Sequence, residues 1–365
     1  MKKFLCTLMA MTMMLSLLAG CGSSNSAAKS AAGSAAASAS VSSSSSGGSS
    51  SGVSGVTYSL GSVAAETSVQ IQAAKQFADA VKNYTNGAIT INVFPASQLG
   101  SDESMCEDLS RGALEFAFLN QGSCAGFDQM LDCHYLPYVA RNYDEADKLF
   151  YGDGIIPTTL TKTLNSHGID VVGWYENEFR GLSNSVREVA TANDVKGLKL
   201  RVPGSAAIQN YFTQLGAQCV TITMGELYTA LQQKTVDGQD NGVLITHDNM
   251  LDECNKYYTY TRHVYAVSVM AVSDSIWKQF SPDQQQAVLK AAAEAQKWEI
   301  QATRDKIDQY LSDMKSKGTS IHELTDQEMS TFVDVAQKTW DAMKSVYGED
   351  YINTLTSEVA AVRGK

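Results

Sequence analysis

One arginine lies inside a segment that otherwise has the pattern of a half-buried strand. In the stretch GLKLRVPGS, apolar residues alternate onto one face, whereas Lys199 and Arg201 point to the other. Pro203 ends the strand, because it has no N–H to donate to a neighbouring strand. Ligands of α/β sheets usually bind at the carboxyl ends of strands, so a guanidinium at this position can hold an anion. A solvated surface arginine is the alternative.

Residues that could perform catalysis or bind a metal do not occur in recognisable spacings. The chain has no GxSxG, no HExxH, no phosphate-binding glycine loop and no dinucleotide motif. The acidic pair Asp102 and Glu103 begins a helix, where capping explains it. The five cysteines beyond Cys21 are odd in number and form no C-x-x-C pair, so neither a disulfide framework nor a zinc site is indicated, and a Cys124–Cys133 bridge stays open. We therefore expect no enzyme, no metal and no cofactor, with a secreted hydrolase as the alternative.

The N-terminus has the pattern of a lipoprotein leader. Two lysines precede the apolar run Phe4–Leu18, which is too short for a comfortable membrane span. The sequence LAGC, ending at Cys21, looks like the lipobox of bacterial lipoproteins. We expect residues 1–20 to be a signal peptide and Cys21 to carry the lipid anchor. Residues 21–55, rich in Ser, Ala and Gly, would form a flexible tether with a reach of roughly 30 Å.

The overall charge of the chain is acidic. It has 28 Lys and Arg against 39 Asp and Glu, for a formal net charge of −11. Such a surface repels nucleic acid, so we expect no partner of that class. An anionic ligand would have to be held by local positive groups rather than by the field of the whole protein.

Strand and helix patterns alternate from Val56 onward, which predicts an α/β fold with mainly parallel sheets. The first series places strands at 56–64, 88–95 and 114–120, helices at 68–83 and 101–111, and further helical segments at 144–151 and 158–167. The second series places strands at 170–176, 198–202, 217–224 and 236–241, and helices at 191–197, 205–215 and 225–234. The apolar stretch Tyr257–Val272 is predicted to be one strand that passes between two lobes.

A single long helix is predicted near the C-terminus. Ser281, Pro282 and Gln284 have the pattern of an N-cap, a first helical residue and a capping box, and Gly318 can end the helix. Nothing interrupts residues 282–317, so this helix would be roughly 55 Å long. A coiled coil is the alternative, but the Ala-rich first half lacks sustained heptads. A helix that packs against two lobes fits better.

The segment from Asp194 to Asn241 resembles the signature region of TRAP-type solute-binding proteins, the DctP family. It contains GLKLRVP, LGA, GELYTALQ and DGQDN in the order and spacing of that family. Blocks at 85–102, 112–118 and 179–185 also match, and the resemblance covers nearly all of 56–365. It implies a two-lobed, periplasmic-binding-protein-like α/β fold with hinge strands and one long helix that spans both lobes.

The resemblance also implies domains and a function. Residues 56–177 plus 267–305 would form lobe I, and residues 178–266 plus 306–365 would form lobe II. Such a protein closes on a small organic acid, a dicarboxylate or a sugar acid, and delivers it to a TRAP-type membrane permease. It would be an extracytoplasmic monomer, anchored to the cell membrane by its N-terminal lipid. The alternative is the binding component of a sensor system or of another importer.

Four residues receive an expected location from the resemblance and its motifs, and Tyr175 is judged apart from it. Arg201 would hold the ligand carboxylate with paired donors, and Arg180 would be a second cleft arginine. Asn241 would contact the acid, and Asn120 would reach the ligand from the other lobe. We expect the aromatic Tyr175 to pack in the core rather than to line the cleft.

Other positions are less constrained by the family pattern. Met224 replaces a common aromatic residue, which would make one cleft wall softer. Gly242 follows Asn241 where many relatives have proline, which we expect to loosen that turn. Glu66 is a candidate polar ligand contact, with a solvated position as its alternative. For Arg180, a surface salt bridge with Glu178 is the alternative.

Overall fold

The computed structural model of the protein describes residues 55–364. The predicted signal peptide, the lipidated Cys21 and nearly all of the predicted tether lie outside the described residues. Among residues 55–364, no helix has both the length and the apolar character that a membrane span requires.

The described part of the chain contains two β-sheets. Their strands are β1 (Val56–Gly61), β2 (Ile89–Phe94), β3 (Phe116–Leu119), β4 (Ile169–Phe179), β5 (Gly181–Asn184), β6 (Lys199–Val202), β7 (Gln218–Thr221), β8 (Gly238–Asn241), β9 (Tyr257–Tyr260), β10 (Tyr265–Ser273) and β11 (Ser320–Glu323). The first sheet has the order β2-β1-β3-β10-β4, and the second has the order β11-β9-β5-β8-β6-β7. Strand β1 is parallel to β2 and β3, but β10 is antiparallel to β3 and β4. Both sheets are mixed rather than mainly parallel, because strands that return from the other sheet run in the opposite direction.

Helices connect the strands and cover both sheets. They are α1 (Val69–Tyr84), α2 (Asp102–Ser110), α3 (Tyr143–Phe150), α4 (Ile155–Ser166), α5 (Ala206–Gln214), α6 (Met224–Gln232), α7 (Val243–Asp248), α8 (Leu251–Cys254), α9 (Asp274–Trp277), α10 (Pro282–Ser316), α11 (Asp326–Tyr347) and α12 (Glu349–Val362). Short 3-10 helices lie at Gln121–Ser123, Gln129–Tyr135 and Ala192–Val195. Ser68, Ser101 and Ser205 cap the helices that follow them through side-chain hydrogen bonds, as N-cap serines do.

The chain crosses between the two sheets at two adjacent places. Strand β4 belongs to the first sheet and β5, beyond Arg180, to the second, whereas β9 belongs to the second and β10 to the first. The prediction of one strand over 257–272 is therefore wrong, because residues 261–264 separate two strands and Arg262 has a φ of 49°. Both strands are buried, and the break between them contains the polar residues Thr261, Arg262 and His263. The backbone N–H of Arg180 donates to the carbonyl of Val264 at 2.8 Å, which joins the two crossings.

The predicted long helix is confirmed and spans both lobes. Helix α10 begins with a capping box between Ser281 and Gln284 and continues for 35 residues. Residues in its first half, such as Ala292, belong to the same buried hydrophobic cluster as residues of α1 and of the first sheet. Near its C-terminal end, Tyr310 stacks on His247 of α7 with ring centroids 4.0 Å apart. A single helix therefore contacts both halves of the two-lobed α/β fold that the sequence predicts.

Candidate binding cleft

A cavity of about 100 Å³ lies between the two sheets. One water molecule needs about 10–15 Å³ on this scale, so the cavity has room for a small organic molecule. Strands β1, β3, β6, β7 and β8 end at this cavity. At these ends or within one residue of them, the lining residues are Ser62, Asn120, Arg201, Thr221 and Asn241. The cavity therefore lies at the carboxyl edge of both sheets, where ligands of α/β proteins usually bind.

Arg201 points from the end of β6 into this cavity and is only 4% exposed. Its Nε donates to the carbonyl of Ile222 at 2.8 Å, and no other group among residues 55–364 forms a hydrogen bond with the guanidinium. Burial lowers the pKa of Arg201 to about 10, although the charge of Asp240 opposes this effect. The arginine stays protonated at neutral pH, and both of its terminal nitrogens are left to donate to a ligand.

Arg180 is buried in an ion pair and does not lie on the surface. Its Nε donates to Oδ2 of Asp240 at 2.7 Å, and its Nη2 donates to the backbone carbonyl of the same residue. Burial lowers the pKa of Arg180, but the charge of Asp240 and its hydrogen bond to Arg180 oppose this effect. Together with the neighbouring Tyr135 and Glu178 they outweigh burial, and the pKa of Arg180 is raised overall. The pKa of Asp240 is held below its ordinary value by Arg180 and His263, despite burial. Glu178 instead accepts two backbone N–H groups at the start of α7.

Asn241 and Asn120 both line the cavity, and both amides are also held by protein groups. Nδ2 of Asn241 donates to Oε1 of Gln239 at 2.6 Å. Oδ1 of Asn120 accepts from the hydroxyl of Tyr135 at 2.6 Å, and Nδ2 of Asn120 donates to Ser123 at 2.8 Å. The structure thus brings these two residues together with Arg180 and Arg201 in one cleft, with the amides already oriented by their neighbours.

The two remaining candidates have different positions. Met224 is the first residue of α6 and lines the cavity. Glu66 does not line it: its exposed side chain forms an ion pair with Lys75 in the first half of α1. Met224 therefore lies in the cleft with the other candidates. Glu66 lies at the surface, in the solvated position that the sequence offered as its alternative.

Asp102 is a cleft residue that the sequence analysis explained only by helix capping. Ser101 is the N-cap of α2, while the Asp102 carboxylate accepts the N–H of Asn120 at 2.9 Å and borders the cavity. Burial raises the pKa of Asp102 to about 7, partly offset by that hydrogen bond and by the charge of Arg201. Its charge therefore changes near neutral pH. Because acidic residues are common in the first turn of a helix, the capping pattern explained Asp102 and did not indicate that it lines the cavity.

Gln70, Asn177 and Tyr175 also line the cavity. Gln70 is 4% exposed, and its Nε2 has no hydrogen-bond partner among the described residues. Tyr175 stacks on Phe118 with ring centroids 5.2 Å apart, so it both packs in the core, as expected, and borders the cleft. Asn177 lies between two glutamates at the end of β4, and this run of three buried polar residues in a strand is a sequence signal that could have identified its position.

The chemistry of this cavity is that of binding. Guanidinium, amide and hydroxyl groups converge on it from both sheets, which suits a small anion with further polar groups. Within residues 55–364, no group of three or more His, Cys, Asp or Glu side chains could hold a metal ion. Cys124 and Cys133 are both buried free thiols in the described structure.

Comparison with known families assigns the fold. Residues 60–346 match the model of the DctP family, described as bacterial extracellular solute-binding protein, family 7. The chain belongs to this family. Proteins of the DctP family bind solutes and are not enzymes, which confirms the expectation of a non-enzymatic protein.

Individual DctP-family proteins are similar over most of the chain. It is 27% identical over 307 residues to the sialic acid-binding periplasmic protein SiaP of Vibrio cholerae, which covers 83% of this chain and 93% of SiaP. The crystal structure of the sugar acid binding protein DctPAm from Advenella mimigardefordensis, in complex with galactonate, has a TM-score of 0.81 and 26% identity, and covers 84% of this chain and 99% of that one. The chain spans 54% of the uncharacterized protein y4mM of Sinorhizobium fredii, with 32% identity over 295 residues that make up 81% of this chain.

Proposed function

We propose that this protein is an extracytoplasmic solute-binding protein that captures a small organic acid, a dicarboxylate or a sugar acid, through Arg201. The observation that carries the proposal is the buried guanidinium of Arg201, whose terminal nitrogens border the cavity and bind no described protein group. Similar proteins named for sialic acid and galactonate support an acidic ligand.

The physical argument rests on the cost of a buried charge. Placing a charged group away from water is expensive unless an opposite charge and hydrogen bonds compensate it. A ligand carboxylate would supply both to Arg201, because its two oxygens match the paired donors of a guanidinium. Arg180, Asn241, Asn120 and Met224 would surround the rest of the ligand.

We propose that the bound acid is delivered to a TRAP-type membrane permease. The two lobes, residues 56–177 plus 267–305 and residues 178–266 plus 306–365, would close around the acid as hinge-closing binding proteins do. The protein would act as a monomer, held at the membrane by a lipid on Cys21. Membership of the DctP family and the lipobox pattern support these steps.

Calorimetry on purified variants tests the role of Arg201. Arg201→Ala should weaken binding of the cognate acid by about 2–5 kcal/mol, or roughly 30-fold to several-thousand-fold, because one partner of a buried charge pair is lost. Arg201→Lys should recover only part of the affinity, since an ammonium lacks the planar fork. Arg111→Ala is the matched control, because Arg111 is exposed and, within residues 55–364, pairs only with Asp108. A folded Arg201→Ala protein that binds within about threefold of wild type would contradict the proposal.

Uptake measurements test the partner. In the native host, accumulation of the labelled acid should require both this protein and the permease subunits. Uptake that continues without the permease, together with ligand binding by the purified protein, would instead assign the protein to another importer. A transcriptional response to the acid without any uptake would assign it to a sensor system.

A further inference from the structure

We infer that the cleft selects acids with one carboxylate and several hydroxyl groups over dicarboxylates, and that Gln70 donates a hydrogen bond to a ligand hydroxyl. This inference rests on the proposed function, in which the ligand is an organic acid held by Arg201. It narrows the ligand class to polyhydroxylated monocarboxylates such as sugar acids.

The first step is the number of positive charges offered to a ligand. Among the described residues that line the cavity, the cations are Arg180 and Arg201. Arg180 is neutralised by Asp240, with a 2.7 Å contact between two side chains that are each 1% exposed. Arg201 forms no salt bridge with any described residue, so one positive charge remains for the ligand.

The second step is the number of negative charges around the same space. Asp102, Glu103 and Asp248 all border the cavity. A second ligand carboxylate would face these groups without a cation to pair with, and like charges repel strongly where water is excluded. The cavity therefore accommodates one carboxylate at Arg201 and disfavours another elsewhere.

The third step is the polar group left without a partner. Gln70 belongs to the lining of the cavity, and its buried Nε2 finds no acceptor among the described residues. Asp102 nearby offers carboxylate oxygens, which only accept while ionised. A ligand hydroxyl can accept from this amide and at the same time donate to Asp102, which also lines the cavity. A second ligand carboxylate could accept from the amide but could not donate to Asp102, and it would bring a second negative charge against that carboxylate. Hydroxyl groups thus satisfy the lining that a second carboxylate cannot.

Matched ligand pairs test the selectivity on the full-length chain. Galactonate and galactarate, erythronate and tartrate, and lactate and malate each form a pair that differs by a second carboxylate. Calorimetry at pH 8 should show the monocarboxylate of the best-binding pair at least about tenfold tighter than its partner, equivalent to about 1.4 kcal/mol. A dicarboxylate that binds as tightly as its partner, or more tightly, would overturn this inference alone. Failure of every acid to bind would overturn the proposed function and this inference with it.

Variants of two glutamines on α1 test the role of Gln70. Gln70→Ala should weaken binding of the preferred hydroxylated acid by about three- to tenfold, the effect of one lost hydrogen bond. Binding of an unsubstituted acid of the same chain length should change less than about twofold. Gln72→Ala is the matched control, because Gln72 is exposed and bonds to Thr67 on the surface. An equal loss for both acids would show that Gln70 acts only on the structure, and would overturn its assignment.

Two aspartates on α2 test the charge argument in the same way. Asp102→Asn keeps an acceptor for the Asn120 N–H and removes the negative charge, so the preference for monocarboxylates should fall about threefold or more. Asp108→Asn, on the same helix and paired with the exposed Arg111, is the control and should leave the preference unchanged. An unchanged preference in Asp102→Asn would contradict the role of negative lining charge.

Discussion

The carboxylate of Glu178 occupies the space that a side chain at residue 242 would need. A Cβ on Gly242 would lie 2.1 Å from Cδ of Glu178. The φ of Gly242 is −72°, which any residue can adopt, so glycine here does not serve to loosen the turn as expected from the sequence. It makes room for a carboxylate that accepts the N–H groups of Leu244 and Ile245 at 3.1 and 3.0 Å, at the start of α7.

Gly242→Ala should therefore destabilise the fold through Glu178. We expect a loss of about 1–3 kcal/mol in the free energy of unfolding, because a methyl group must displace a buried carboxylate. Removing that carboxylate in Glu178→Ala should make the second substitution much less costly. Urea unfolding of the two single variants and the double variant measures the coupling. Strictly additive losses would contradict the steric link.

Buried carboxylates predict a fall in stability with rising pH. Burial raises the pKa of Glu299 to about 8 from its ordinary 4.5, although it accepts hydrogen bonds from the Glu176 N–H and the Thr303 hydroxyl. Between these two pH values the unfolded chain loses a proton that the folded chain keeps, so the free energy of unfolding should decrease. The pKa of Glu178 is also raised by burial to about 8 and acts in the same direction.

Glu299→Gln isolates this effect, since a glutamine can satisfy both partners without a charge. Melting temperatures measured from pH 5 to 8 should fall less steeply in Glu299→Gln than in wild type, and the variant should be the more stable of the two at pH 8. Parallel curves for the two proteins would show that Glu299 does not titrate in this range. The exposed Glu323→Gln serves as the comparison.

The two cleft arginines should respond differently to truncation. Arg180→Ala leaves Asp240 buried without its cation, which costs about 3–5 kcal/mol of folding stability. Arg201→Ala removes a charge that forms no salt bridge with any of residues 55–364, so its melting temperature should equal or exceed that of wild type. Thermal unfolding without ligand separates the two variants, and an equal destabilisation of both would contradict the assigned pairings.

A close backbone contact across the cleft predicts a variant with impaired closure. The N–H of Ala125 donates to the carbonyl of Gly204 at 3.1 Å, and a Cβ on Gly204 would lie 2.6 Å from the carbonyl oxygen of Ser123. Gly204→Ala should weaken ligand binding about tenfold or more, with little change in stability. In the control Gly225→Ala, the added methyl lies 3.4 Å from Ser97, an ordinary contact. Unchanged affinity in Gly204→Ala would exclude this contact from closure.

Cys21→Ser tests the anchor. The variant should no longer incorporate labelled palmitate and should move from the membrane fraction to the soluble fraction, because two or more acyl chains are needed for stable attachment. Continued labelling and sedimentation with membranes would contradict the lipobox interpretation.

Helices α1 to α6, the long helix α10 and most strands could be predicted from local pattern, because caps and periodicity are encoded within a few residues. Ser281 and Gln284 fixed the start of α10 in this way. Helices α7, α8, α9, α11 and α12 and strands β5 and β11 were not predicted. The break at 261–264 did have a local signal in its three polar residues. Strand direction depends on contacts between distant segments, which a local pattern does not record. The same limit applies to Gln70: its burial against the cavity depends on how the sheets meet, and no short motif records it.

The joined crossings at Arg180 and Val264 have a mechanical consequence. When two bodies rotate about a shared pivot, the displacement of each atom grows with its distance from that pivot. In the proposed closure of the lobes, Arg180 would lie at the pivot, so its bonds to Asp240 should survive opening, whereas the contact between Ala125 and Gly204 should break first. An acid that enters the open cleft would then find Arg180 and Asp240 already in position. Opening would change the width of the entrance far more than the arrangement of the groups that recognise the ligand.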